Sequence, residues 1–301
     1  VSHARGGDPD ARDLPLDSHL HTELSHDADV PIDVYAAAAV ERGIAELAVT
    51  DHLDFGAGWP SSAGEYPRRE RYVRDAAERW AAHGVAIRFG VEITYDRRHE
   101  GEIREHLGRT AYDYTIGSVH IGRDSIYHHS RVAGWVAGRG LAAIVTPYFE
   151  EVAAAARSGL FDTIGHLDFV KRYLHPHVTP DQLAAAPELY EPVLRTLVDG
   201  DVALEINTSG LRQSPAETYP AAWAVARYRE LGGRWVTTGS DAHRADWFAW
   251  GLARAYEMAA ELGYRHLAFR RGASRTAVAI PGRFTRAAER PVPNVEAGRS
   301  L

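Results

Sequence analysis

The run Leu14-Pro-Leu-Asp17-Ser-His19-Leu-His21-Thr-Glu-Leu-Ser-His26-Asp27 decides how the chain is read. Residues 14–20 are apolar enough to form a short strand, which leads into two histidines spaced i, i+2. A pleated strand turns such a pair to one side. The pattern recurs. Short apolar runs, several rich in β-branched residues, lie at 46–50, 86–93, 112–119, 162–167, 202–206 and 234–238. They end on Asp51-His52, Glu92, His120, His166-Leu-Asp168, Glu205-Ile-Asn207 and Asp241-Ala-His243. Helical patterns occupy 31–42, 68–83, 141–157, 181–198 and 216–231, and another at 247–262 follows the last strand. Such alternation predicts an α/β domain of parallel strands with right-handed crossovers, either a closed barrel or an open doubly wound sheet. In a parallel barrel all C-terminal strand ends share one face, so residues there converge.

No Gly/Ser/Pro linker divides the chain, which reads as one domain over 14–283 with flexible tails at 1–13 and 284–301. With 45% hydrophobic and 25% charged residues among 301, disordered, collagenous and coiled-coil classes are excluded. Lys plus Arg total 34 against 41 Asp plus Glu, a net charge of -7, which argues against nucleic acid or an anionic membrane as partner and for a small ligand. The polar segment 1–13 lacks the apolar core of a signal peptide, and no run reaches the roughly 18 apolar residues of a membrane span, so a cytoplasmic protein is expected.

Cysteine is absent while histidine occurs 16 times, which excludes thiolate chemistry and leaves nitrogen and oxygen as metal donors. His19, His21, Asp27, His52, Glu92, His120, His166, Asp241 and His243 recur at successive strand ends and are read as metal ligands. Nine donors exceed one mononuclear site, so two or three divalent ions are implied, with zinc, iron or manganese all compatible. His3, His83, His99, His106 and His266 fall in tails or helices and read as solvated. His26, His128, His129, His175 and His177 fall in loops above the same face.

The segments Gly117-Ser-Val-His120, Gly165-His-Leu-Asp-Phe-Val-Lys-Arg172 and Glu205-Ile-Asn-Thr-Ser-Gly-Leu-Arg212 resemble the PHP (polymerase and histidinol phosphatase) family, most of all its histidinol-phosphatase type. The resemblance implies a distorted (β/α)7 barrel with a trinuclear metal centre at the C-terminal strand ends. By that likeness His19, His21, Glu92 and Asp241 hold one ion. Glu92 bridges to a second held by His120 and His166, and Asp27, His52 and His243 hold a third. The stretch Ile121-Gly-Arg-Asp-Ser-Ile-Tyr-His-His129 departs from that branch, where an aromatic, Gly-Trp-containing loop is usual, and its place suits contact with the organic part of a substrate.

The expected reaction is hydrolysis of a small phosphorylated metabolite by attack of a metal-bridging hydroxide. Arg212, and after it Lys171 or Arg172, is the candidate clamp on phosphoryl oxygens. Asp168 and Asp51 are candidates to orient ligating imidazoles, and His243 or Asp27 to protonate the leaving alkoxide. Trp247-Phe-Ala-Trp250 reads first as core on an amphipathic helix, with lining of the pocket as the alternative. Two other functions compete: a phosphodiesterase or exonuclease, which the acidic balance disfavours, and a non-catalytic metal-binding scaffold, which the full donor set disfavours.

Overall fold

The computed structural model describes residues 10–56, 63–271 and 274–288. Its strands are β1 (Asp17–Leu20), β2 (Glu46–Val49), β3 (His52–Leu53), β4 (Ala86–Thr94), β5 (Tyr114–Ser118), β6 (Thr163–Ile164), β7 (Ala203–Asn207) and β8 (Val236–Gly239). They pair in chain order and in parallel, with β3 continuing β2 along β4 in unbroken register, Val49 opposite Phe89 and His52 opposite Glu92. Seven staves result. Between the last and the first the ring nearly closes: Asp241 N donates to His19 O at 2.8 Å, His21 N to Ala242 O at 2.9 Å, and Ser18 Oγ to Thr238 O at 2.9 Å. The molecule is a nearly closed (β/α)7 barrel, and these bonds exclude the open sheet.

Helices α1 (Ile32–Arg42), α2 (Tyr66–Ala81), α3 (Glu100–Arg109), α4 (Val132–Val136) and α5 (Leu141–Arg157) belong to the first half. Helices α6 (Lys171–Leu174), α7 (Pro180–Ala184), α8 (Glu191–Asp199), α9 (Ala222–Glu230), α10 (Leu252–Glu261) and α11 (Gly282–Ala288) follow. A core of Leu47, Val49, Ile116 and Leu204 with Tyr35, Val145, Leu194 and Tyr256 is fully shielded. At about 25 cal/mol per Å² of apolar surface, each such side chain contributes about 1.5–3 kcal/mol. Gly43, at φ 69°, closes α1 in the left-handed conformation that glycine adopts without strain.

Several expected elements change length for local reasons. The helix at 181–198 divides into α7 and α8 because Pro187 and Pro192 each withhold a backbone N–H. The helix at 216–231 starts only at Ala222, past Pro220; ahead of it Tyr219 and Asn207 exchange backbone bonds of 2.9 and 3.0 Å. The helix at 247–262 starts at Leu252, after Gly251 turns left-handed at φ 72°. The strand at 162–167 shortens to two residues, since His166 sits at φ 23°. A hairpin, β9 (His266–Arg271) with β10 (Ser274–Ala279), and α3 are additional. Of the expected tails, Ala11 is buried and residues 284–288 lie in α11; residues 1–9 and 289–301 lie outside the described residues. No described helix is long and apolar enough to cross a membrane.

Candidate metal centre

Glu92 is the hub of the C-terminal mouth. Its Oε2 lies 3.2 Å from His19 Nε2, 3.3 Å from His21 Nε2 and 3.1 Å from His52 Nδ1, and its Oε1 lies 2.8 Å from His166 Nε2 and 3.3 Å from His120 Nε2. Asp241 Oδ1 stands 3.4 Å from His21 Nε2 and 3.8 Å from His19 Nε2. On the outer side, Asp27 Oδ2 is 3.2 Å from His243 Nε2 and 3.5 Å from His52 Nε2. All nine sequence-derived ligand candidates meet in this one cluster.

Whether these residues suit a metal ion turns on spacing and on unmet bonding. Four donors about 2.0–2.2 Å from a tetrahedral ion stand about 3.3–3.6 Å apart, close to the separations here. Three groups, His19/His21/Glu92, His52/Glu92/His120 and His21/His52/His243, each hold their donor atoms within 4.8 Å of one another. Hydrogen bonding leaves the cluster unsatisfied: Glu92 Oε2 and His52 Nδ1 are buried without a hydrogen-bond partner. The donor set fits divalent metal ions.

The field of the site favours positive charge. Burial works against protonating His19, but the carboxylates of Glu205, Glu92 and Asp241 outweigh it and raise that ring well above the usual histidine value. His52 and His166 are raised against their burial too, chiefly by Glu92. Burial also acts to raise the Glu92 and Asp241 carboxyls, yet the surrounding imidazoles hold both well below the usual range. His21 is lowered by burial and by its neighbours His243 and His52. A cation placed among these groups supplies the charge they stabilise.

Outer contacts aim the rings. His19 Nδ1 donates to Glu205 Oε1 at 2.7 Å and His243 Nδ1 to the Asp241 carbonyl at 3.1 Å, so both turn an Nε2 lone pair inward. His120 Nδ1 meets Thr94 Oγ1 at 2.8 Å. Glu205 also accepts His166 N at 2.8 Å and Asn207 Nδ2 at 3.0 Å, tying three strand ends together. Gly239 makes room for this: a Cβ there would lie 2.2 Å from His19 Cβ and 2.9 Å from Glu205 Oε1. Asp51 reaches an imidazole only through Ser25, whose Oγ donates to Asp51 at 3.2 Å and lies 3.1 Å from His21 Nδ1. His166 and Asp241, both in the donor cluster, hold φ of 23° and 52°, strained values for non-glycine residues.

Two sequence-derived roles fail on geometry. Lys171 does not face the cleft: its Nζ is buried against Glu217 Oε1 at 2.6 Å, Asp168 Oδ2 at 2.9 Å and Thr218 O at 3.1 Å. Asp168 therefore orients no imidazole; its other partner is Tyr190 OH at 2.9 Å. Arg212 and Arg172 do border the cleft, which has a volume of about 670 Å³. Arg212 Nη2 donates to Ser240 O and Asp241 O at 2.8 and 2.7 Å, while its Nε and Nη1 are buried without partners. Trp247 covers this guanidinium at 4.8 Å and lines the cleft, the alternative to its first-expected place in the core.

Glu205 was missed as a functional residue, although its position at a strand end beside Asn207 was a usable signal. Of the remaining histidines, His26 borders the cleft, His128 and His129 pack together with centroids 3.9 Å apart and are not among its lining residues, and His175 and His177 are exposed. His83 is exposed; His266 is exposed too, on β9 and not in a tail or helix. His99 pairs with Glu102 at 2.8 Å, half-buried His106 meets Tyr112 OH at 3.0 Å, and His3 lies outside the described residues. From the 121–129 loop, Ile121 lines the cleft.

A parallel barrel with an all nitrogen-and-oxygen donor cluster at its mouth defines a metal-binding barrel protein. Residues 17–209 match the PHP domain, and the chain belongs to that family. Asp241 and His243 lie beyond the matched stretch yet complete the cluster. A probable histidinol-phosphatase of Deinococcus radiodurans is 32% identical over 84% of this chain and 96% of its own length. The histidinol-phosphatase of Lactococcus lactis is 26% identical over 84% and 93%. The crystal structure of histidinol phosphate phosphatase from Lactococcus lactis, complexed with zinc, L-histidinol and phosphate, shares the fold at a TM-score of 0.71 and 23% identity, over 87% of this chain and 98% of that one.

Proposed function

We propose that this protein is a metal-dependent phosphomonoesterase whose substrate is histidinol phosphate. The observation that carries the reading is Arg212: a guanidinium with two buried, unpartnered nitrogens, Nε and Nη1, on the same cleft as the donor cluster. A planar fork of donors matches phosphoryl oxygens. The names of the relatives and the ligands of the Lactococcus lactis structure support the same substrate.

Three ions are assigned: one to His19, His21, Glu92 and Asp241, one to Glu92, His120 and His166, and one to Asp27, His52 and His243. When bound, divalent ions supply Lewis acidity toward the phosphoryl oxygens and activation of water for attack at phosphorus. The chain's own residues do the rest. Arg212, fixed to the Ser240 and Asp241 carbonyls just past β8, binds non-bridging oxygens and stabilises the charge that develops on them. Arg172, exposed at the rim over Phe169 and Tyr173, attracts the anionic ester. Asp27 and His243 form the outward edge of the cluster, where the leaving alcohol takes its proton.

The test is phosphate release by metal-replete protein from a panel of phosphorylated metabolites that includes L-histidinol phosphate, with bis(p-nitrophenyl) phosphate as diester control. Preferred turnover of histidinol phosphate is expected. Turnover of the diester alone would replace this reading with a phosphodiesterase.

A further inference from the structure

Asp54 lies two residues beyond His52, is 5% exposed and lines the cleft. Of the described buried carboxylates it alone has both oxygens without a hydrogen-bond partner. Three others are answered fully within the chain, Glu46 by Arg88, Asp51 by Thr22 and Ser25, and Glu205 by His19 and Asn207, while Asp17, Glu92 and Asp168 each keep one oxygen without a hydrogen bond. A shielded carboxylate with no partner is costly unless a ligand brings it a donor or a positive charge.

Its position says which part of a ligand that is. The guanidinium of Arg212 rests on the Ser240 and Asp241 carbonyls past β8, but its backbone and that of Arg172 follow β7 and β6, the sixth and fifth staves, whereas Asp54 follows β3, on the second. In a ring of seven those are opposite arcs. The cleft is therefore bipolar, with guanidinium groups on the arc from the fifth to the seventh stave and a bare carboxylate on the second. A molecule spanning it has an anionic end and a cationic end.

We propose that Asp54 binds a protonated amine on the alcohol portion of the substrate and so selects cationic phosphomonoesters over neutral ones. This rests on the phosphomonoesterase reading and adds a specificity residue to it. A carboxylate–ammonium pair formed in a shielded cleft discriminates strongly, because an ester lacking the amine leaves Asp54 unanswered.

The experiment compares L-histidinol phosphate with its deamino analogue, 3-(imidazol-4-yl)propyl phosphate, in the wild type, Asp54→Asn and Asp54→Glu, with metal content measured for each. The wild type should favour the amine-bearing ester in kcat/KM, Asp54→Asn should shrink that ratio by about 30-fold or more, mainly through KM, and Asp54→Glu should recover part of it. A wild type indifferent to the amine, an unchanged ratio in Asp54→Asn, or a loss of metal from that variant would overturn the proposal. If the wild type hydrolyses neither ester, the phosphomonoesterase reading fails separately. Calorimetry then decides on Asp54: binding of L-histidinol to the metal-loaded protein should weaken about 10-fold or more in Asp54→Asn, and equal affinity would refute the assignment.

Discussion

His166 and Asp168 stand two residues apart after β6, both fully shielded, yet they belong to opposite kinds of charged cluster. Asp168 joins Lys171, Tyr190 and Glu217 in a group that answers most of its own bonding: the ammonium has three partners, and the carboxylate accepts from both Lys171 and Tyr190. His166 joins imidazoles crowded on Glu92, where an oxygen and ring nitrogens stay without hydrogen bonds. Burial alone thus says little about function. A buried group served by its own chain holds the fold together, and one left unserved beside others like it awaits a ligand.

Substitutions can break this contrast, and the largest effect belongs to the hub. Glu92→Ala takes a shared carboxylate from several imidazoles at once; activity should fall on the order of 10³-fold or more, with bound metal lost by elemental analysis. Next comes Arg212→Ala, for which steady-state kinetics should show a drop of about 10²–10³-fold with metal retained. Arg212→Lys should recover little, because a point charge does not reproduce the fork. Glu205→Gln leaves the ligands in place but weakens the acceptor for His19, and a loss of about 10–100-fold in metal affinity should appear in competition with a chelator. At the other cluster, Lys171→Met should leave activity per folded molecule near the wild type while lowering stability by about 3–5 kcal/mol in urea denaturation, since it strands Asp168. If Lys171→Met lost activity at unchanged stability, the contrast would collapse.

How much of this was legible in the chain follows from what each feature depends on. The cluster was legible because each member is local, a His, Asp or Glu near the end of an apolar run, with pairs such as His19/His21 and Asp241/His243 in strand spacing. Closure was not, because it lies in bonds such as Asp241 N to His19 O between residues 222 positions apart, and only the family resemblance implied it. The α3 helix went unread because Ile103 is its only buried residue, which leaves no apolar period to detect. Lys171 was misassigned for a related reason. Its neighbour Arg172 reaches the cleft and Lys171 turns into the protein, and that difference is set by Glu217 and Thr218, which arrive from a distant segment. Glu205 carried its signal in plain view, but its importance lies in bonds to two other strands.

The proposed activity is phosphomonoester hydrolysis that depends on ions held around Glu92. Its most direct test is phosphate release from L-histidinol phosphate by protein stripped with a chelator and then reloaded with zinc, manganese or iron. The stripped protein should be inactive, and returning a divalent ion should restore turnover to the wild type but not to Glu92→Ala. Undiminished hydrolysis by the stripped protein would contradict the account.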